Sequence, residues 1–234
     1  MIDPNFMAEI LPELLRGLVV TLQATFGGFA IALIVGLLLD LGRRSGSKMV
    51  RRLCDGYIAV MRCTPLLVQL YFVFYVLPAY GVRFGALATG ILVLGLHIGA
   101  YLAEVYRAGI DAIGKGQWEA AKALGLSWPV TWTKVILPQA LPPMLPPLGN
   151  FLIGLFKETP LLAAITVIDV FGAANNIAGQ TYRYNEPYTA AALILLVVSL
   201  IAAYGVNRLE RFVNRSRRAK GEVALTTADR PPVL

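Results

Sequence analysis

Apolar residues in this chain gather into long, nearly unbroken runs rather than the short periodic stripes of a soluble domain. The first runs from Gly17 to Leu39, close to the roughly 20 residues that cross a bilayer as a helix. A second reads from about Tyr57 to Leu77 and is closed by Pro78 and Gly81. A third covers Phe84 to Tyr106, a fourth Leu145 to Ile168 with Lys157-Glu158 and Pro160 inside it, and a fifth Tyr188 to Val206. The pattern predicts an all-α integral membrane protein with five transmembrane helices, its membrane domain spanning residues 17–207. Gly27, Gly28 and Gly36 in the first run would let another helix approach closely.

The segment from Met1 to Arg16 carries Asp3, Glu9 and Glu13 and no early positive charge, so it is not read as a secretory signal. Phe6, Ile10 and Leu14 recur at helical spacing, which predicts a short interfacial helix over residues 1–16 on the outer (periplasmic) surface. Between the fourth and fifth spans a polar outer loop is expected, holding Asp169, Asn175, Asn176, Arg183 and Glu186.

Charge orients these spans. The chain is 57% hydrophobic and 15% charged, against about 25% charged in a soluble domain. Its net charge of +7 would admit a nucleic-acid partner. The basic residues instead sit in two runs, Arg43–Arg52 and Arg208–Lys220, each beside an apolar stretch. That is the distribution of cytoplasmic anchoring charge, and it argues for the membrane and against nucleic acid. The N-terminus is then outside and the C-terminus cytoplasmic, with residues 208–234 a basic tail, partly disordered beyond Gly221. Cys54 and Cys63 are too widely spaced for a CxxC pair.

Counting crossings places a polar segment, about residues 111–140, in the cytoplasm. It reads as two short helices. The first, about Gln117 to Leu124, stops at Gly125, which can adopt the left-handed conformation. Ser127 can cap the second, with Pro129 tolerated in its first turn and an end expected near Pro138. Such a loop is too long to be a mere connector. Trp118, Ala121 and Gly125 share one side, which fits either a knob for a groove on another protein or an amphipathic helix on the membrane surface.

Glu119-Ala120-Ala121, Gly125 and Ile136-Leu137-Pro138 resemble the EAA loop of ABC-importer permeases. Gly17-Leu18-Val19-Val20-Thr21-Leu22 is similar to the first-helix start of the polar-amino-acid branch (histidine, arginine and glutamine permeases). The stretch Arg62-Cys63-Thr64-Pro65-Leu66-Leu67-Val68-Gln69 resembles that branch's RGTPLLVQ segment, with Cys63 in place of glycine. Ala103-Glu104-Val105-Tyr106-Arg107-Ala108-Gly109-Ile110 resembles its AEIxRAGI segment. Lys157-Glu158-Thr159-Pro160-Leu161, where the branch has KDTSL, together with Tyr182-Arg183-Tyr184-Asn185-Glu186-Pro187, looks most like the ectoine/hydroxyectoine uptake permeases.

The resemblance implies a type I importer permease fold in a bacterial inner membrane. It also implies a second permease subunit, identical or related, a cytoplasmic ATP-binding subunit dimer, and a periplasmic or lipid-anchored solute-binding protein. Gln117, Trp118, Glu119, Ala120, Ala121 and Gly125 would then form the coupling segment that docks the ATPase. The chain itself holds no cofactor; ATP and magnesium would sit on the partner subunits. No GxxxxGK[ST] phosphate loop is present, so the chain is not expected to hydrolyse ATP.

Charges within apolar runs are candidate pathway groups, because each costs roughly 3 kcal/mol at a bilayer centre. Lys157 and Glu158 lie near the middle of the fourth run and, being adjacent, cannot face each other. One reading has Glu158, beside a backbone break at Pro160, contact the cationic part of a zwitterionic solute. The other has a Lys–Glu pair satisfied between subunits. Glu104 and Arg107, three apart, read as a helix-end ion pair, and Arg62 as a structural charge near a helix end. His97 reads as a hydrogen-bonded core residue, and Tyr71, Phe72, Phe74 and Tyr75 as aromatic packing. A membrane scaffold would leave the EAA-type loop without a purpose, and a self-sufficient secondary transporter would more often show repeated halves.

Overall fold

The computed structural model describes residues 3–228, with side chains described as far as residue 211. Nine α-helices account for most of this backbone, and four continuous helical stretches, one of them joining short π and 3-10 turns to its α-helices, are long and apolar enough to cross a membrane. A bent pair passes the same test as a fifth span, in line with the five expected.

Helix α1 (Pro4–Arg43) is one unbroken element, about 60 Å long at 1.5 Å per residue. Its start is fixed by Asp3, whose carboxylate accepts from the N–H groups of Asn5 (3.0 Å) and Phe6 (3.4 Å). The separate interfacial helix over residues 1–16 is therefore corrected. Nothing between Arg16 and Gly17 breaks the helix, and Ile10 and Leu14 bury against later helices rather than lying on a membrane surface.

Helix α2 (Lys48–Cys63) and α3 (Leu66–Tyr71) meet at a 106° bend, so the run expected as one straight span is broken. Pro65 has no N–H, and it forces Thr64 into extended backbone (φ −109°, ψ 139°). The Gln69 amide reaches back to the carbonyls of Met61 (3.1 Å) and Thr64 (3.2 Å) and so satisfies groups the break frees. After α3 the chain widens into a π turn (Phe72–Val76) and tightens into a 3-10 turn (Leu77–Tyr80), ending at Gly81 with φ +86°.

Helix α4 (Ala86–Asp111) packs along α1 as the main seam of the molecule. Each helix offers a small residue where the other offers a large one. A Cβ on Gly36 would lie 2.8 Å from Leu102 Cβ, and one on Gly95 would lie 2.5 Å from Ile31 Cβ. The close approach explains why the first run carries glycine, and it buries Ala24, Ala32, Leu94, Ile98 and Leu102 in the core.

After α5 (Lys115–Ala123) and the short α6 (Trp128–Val130), a π turn at Thr131–Ile136 leads into α7 (Leu137–Glu158). The stop expected near Pro138 does not occur. The wide turn ahead of Pro138 removes the need for its missing donor, and the helix continues through further prolines. A 3-10 turn (Thr159–Ile165) follows at Pro160 and ends at Thr166 in the left-handed region (φ +68°).

The expected polar outer loop contains a helix, α8 (Val170–Thr181). Its buried Val170, Ala173, Ala174, Ile177 and Ala178 follow helical spacing, and Asp169 caps it by accepting from Gly172 N–H at 2.8 Å. Helix α9 (Asn185–Ala228) continues past Gly221, where a disordered tail was expected; residues 229–234 of that tail lie outside the described residues.

Candidate functional site

The two ends of the bundle differ in chemistry. At the basic end, α1 finishes in Arg43 and Arg44 beside the end of α4. Arg44 donates to Asp40 at 2.9 Å and to Asp111 at 2.8 Å, clasping the two helix ends together.

Beside this clasp, Glu104 on α4 accepts from Arg43 at 2.7 Å and from Arg107 at 2.8 Å, while Arg62 lies 3.8 Å away. Arg43 also pairs with Asp55 at 2.7 Å. The three expected residues Arg62, Glu104 and Arg107 thus meet as one network. Arg43 and Asp55 were missed. Arg43 was read only as anchoring charge, and Asp55 becomes its neighbour only because α2 turns across the ends of α1 and α4.

This network forms one wall of a cavity of about 410 Å³ between α2, α4 and α7. Arg62 and Glu104 supply opposite charges there. Tyr101, Met144 and Phe151 also line it. The Arg62 guanidinium also sits 5.2 Å from the centre of the Tyr101 ring, which holds it over an aromatic face. His97 Nδ1 donates to the Gln69 amide oxygen at 3.1 Å, and the ring is buried beside Tyr101, as expected of a core histidine.

The segment resembling the EAA loop folds largely as the sequence reading expects. Gly125 has φ +65°, Leu126 N–H donates to Ala121 O at 3.1 Å, and Gly125 N–H donates to Lys122 O at 3.0 Å. This is the paired-bond ending that a left-handed residue allows. Ser127 precedes the next helix but makes no side-chain cap.

The exposed side of the segment differs from the expected one. Trp118 turns inward against Trp132 (ring centres 5.5 Å apart) and Ala121 is buried, so neither is the outward knob. Gln117, Glu119, Ala120 and Gly125 are exposed. So are two large apolar groups that flank the turn, Leu124 at 76% and Trp128 at 68%. Gln139 donates to Gln117 at 3.1 Å and ties α5 to the start of α7.

Lys157, Glu158 and Pro160 stand apart from both groups: Lys157 and Glu158 end α7 rather than lying at its middle, since that helix begins as early as Leu137, and Pro160 is in the 3-10 turn that follows. Lys157 is exposed, while Glu158 Oε2 is buried without a hydrogen-bond partner among the described residues. Thr159 is buried and donates to Phe156 O at 2.9 Å, which eases the change from α to 3-10 backbone ahead of Pro160. Tyr71, Phe72 and Tyr75 expose their rings on one ledge, and Tyr75 OH donates to Ala164 O at 3.1 Å.

The opposite end is closed by Arg183, which donates to Glu186 (2.8 Å) and Asp3 (3.3 Å) and lies 4.2 Å over the Phe6 ring. Hydrogen bonds from Phe6 N–H and from Arg183 hold the Asp3 carboxyl below the usual range. Asp169, between the last two spans, is fully buried; loss of hydration pushes its carboxyl up to about 6 despite the bonds from Gly172 and Phe171 N–H.

Residues 28–215 match the family model for the binding-protein-dependent transport system inner membrane component. A probable amino-acid ABC transporter permease protein of Sinorhizobium fredii is 43% identical over 198 residues, covering 85% of this chain and 86% of that protein. The arginine transport system permease protein of Bacillus subtilis is 37% identical over 210 residues, covering 88% of this chain and 96% of its own length. A crystal structure of an amino acid ABC transporter with histidines has a chain 36% identical, with a TM-score of 0.84, covering 90% of this chain and 99% of that one.

Proposed function

We propose a function for a chain that belongs to the family of binding-protein-dependent transport system inner membrane components: it is the permease subunit through which a small zwitterion of the amino-acid class enters the cell. Its place is the inner membrane, crossed several times. In this reading an ATP-binding subunit docks the coupling segment at the basic end, which faces the cytoplasm. A solute-binding protein delivers from the other side, and a second permease subunit completes the pathway.

The observation that carries the solute class is the cavity with Arg62 and Glu104 on one wall. A solute carboxylate would take Arg62 and its ammonium would take Glu104, with the remainder against Tyr101, Met144 and Phe151. At 3.8 Å the Arg62–Glu104 contact is longer than a hydrogen bond, which leaves the guanidinium free to take a solute carboxylate. Arg107 and Arg43 hold Glu104 in place while leaving Arg62 to exchange partners.

At the exposed coupling surface, Leu124 and Trp128 supply the apolar contact and Gly125 the tight turn between them. Movement of this surface reaches α7 through the Gln117–Gln139 bond and the tryptophan cluster on the π turn. ATP-driven closure of the partners would in this way open and shut the cavity.

The finer reading is ectoine or hydroxyectoine, supported by Lys157-Glu158-Thr159-Pro160-Leu161 and Tyr182–Pro187. Glu158 then acts earlier on the route, touching the solute's cationic part. Uptake into proteoliposomes tests both points. Arg62→Gln should raise the KM for solute at least tenfold with little change in melting temperature; an unchanged KM rejects the cavity as the solute's seat. Wild-type uptake with unchanged affinity by Glu158→Gln would remove that residue's ligand role. Competition by arginine but not by ectoine would discard the narrower solute.

A further inference from the structure

Helix α2 has three faces where a spanning helix has two. At about 100° per residue, Cys54, Tyr57, Ile58 and Met61 occupy one side and pack on Leu39, Ala100 and Ala103 or the nearby Gly42. Met49, Leu53, Gly56 and Val60 occupy a second arc, and Met49, Leu53 and Val60 are exposed. Lys48, Arg51 and Arg52 lie on the third arc and are exposed as well; Asp55 and Arg62 share that arc, but Asp55 is held by Arg43 and Arg62 lines the cavity.

Among the described residues none of these three cations pairs with a carboxylate, and Arg51 only donates to Ser45 O at 3.2 Å. The 106° bend at Thr64-Pro65 sets α2 nearly perpendicular to α3. With α3 upright, α2 lies along the bilayer surface at the basic end. Its apolar arc then meets hydrocarbon and its cationic arc meets the headgroup layer.

We propose that this face of α2 is a binding site for anionic phospholipid of the cytoplasmic leaflet. The lipid phosphate is held by Lys48, Arg51 and Arg52, and its acyl chains lie on Met49, Leu53 and Val60. The proposal rests on the orientation given above, with the basic end in the cytoplasm. Charge complementarity selects the occupant, because guanidinium and ammonium groups that pair with no carboxylate stand directly beside an exposed apolar stripe. An acidic protein surface would match the cations but would leave that stripe unmatched. The site also adjoins the solute cavity, since Asp55 on the same helix holds Arg43, which in turn holds Glu104.

The test uses the complete transporter in nanodiscs of phosphatidylcholine mixed with phosphatidylglycerol. Co-isolated lipid is counted by native mass spectrometry after mild detergent transfer. The wild-type complex should retain phosphatidylglycerol several-fold over phosphatidylcholine, with the preference falling as salt rises. A Lys48→Gln, Arg51→Gln, Arg52→Gln variant should lose most of that preference. A charge-preserving variant (Lys48→Arg, Arg51→Lys, Arg52→Lys) should keep it, and a single Arg52→Gln serves where the triple variant fails to insert. Equal retention by wild type and the glutamine variants overturns the proposal. So does loss of the ATP-binding subunit with lipid retention unchanged, which would make the patch a protein contact. Solute-stimulated ATPase of the same samples reads the import function separately, so its failure is distinguishable from failure of the lipid site.

Discussion

Substitution at Gly125 separates the coupling surface from the local fold. A Cβ built there meets nothing within 4 Å and the position is exposed, so a side chain here starts in open space. The cost to the isolated subunit is only that of holding a non-glycine residue at φ +65°, about 1–2 kcal/mol. That strain is the same for alanine and arginine, and it lowers a melting temperature by about 2–4 °C per kcal/mol in a chain of this size. Gly125→Ala should therefore insert, assemble and hydrolyse ATP in response to solute at close to the wild-type level. Gly125→Arg carries equal strain but projects a long charged group between Leu124 and Trp128, where the proposed partner must fit. Its solute-stimulated ATPase should fall at least tenfold in lipid nanodiscs, with a melting temperature matching that of the alanine variant. Normal stimulation in Gly125→Arg would refute the docking argument. Equal loss in both variants would show that the turn, and not the surface, is what matters.

Burial ranks the bonds to Glu104. Arg43 and Glu104 are 21% and 24% exposed while Arg107 is 51% exposed, so double-mutant cycles should give about 1–2 kcal/mol for Arg43–Glu104 and under about 1 kcal/mol for Arg107–Glu104; the reverse order in chemical melts would contradict the geometry. Gly36→Val should destabilise by about 1–3 kcal/mol, because its Cβ would sit 2.8 Å from Leu102 Cβ and 3.1 Å from Ala103 N; Gly46→Val, with nothing within 4 Å, is the control, and equal melting temperatures would deny the close seam. Asp169 keeps its proton to about pH 6 in the fold against an ordinary 3.8, so between those values the native state binds more protons than the unfolded one and stability falls as pH rises. The gap is worth roughly 3 kcal/mol, and Asp169→Asn, which can still cap α8, should flatten the melting-temperature profile from pH 4 to 6 and stabilise at pH 7; an unchanged profile rejects this.

Hydropathy alone made the spans legible, because a run of apolar residues long enough to cross a bilayer has few other uses. Local chemistry made Gly125 legible, since a glycine after a short helix ahead of Ser127 and Pro129 ends that helix in the left-handed region. The sequence patterns failed where tertiary context decides. Pro138 looked like a stop because one missing donor usually ends a helix, yet the π turn at Thr131–Ile136 absorbs it. The second run was read as one span straight through Pro65, yet Thr64 is driven to extended backbone and the span bends. The stripe from Val170 to Ala178 was overlooked because the polar residues around it dominated the reading, although Asp169 is a strong cap.

Among the site residues, Glu104 and Arg107 were recoverable from their spacing on one helix. Arg43 and Asp55 were not, because their contact depends on the direction α2 takes after the loop. Trp118 has the size and position of a docking anchor, and only packing against Trp132 reveals that it faces home. Lys157 and Glu158 were placed mid-span from hydropathy, but α7 starts earlier than the apolar run does and carries them to its far end.

The most direct test of the account is the ATPase activity of the complex, purified through this chain and reconstituted in lipid with its binding protein and a panel of solutes. An ATP-hydrolysing subunit should co-purify, and a zwitterion of the amino-acid class should stimulate it several-fold, ectoine above arginine, histidine or glutamine where the solute is ectoine. A chain that brings down no such subunit, or an activity that no zwitterion changes, would contradict the claim that it is an importer's permease.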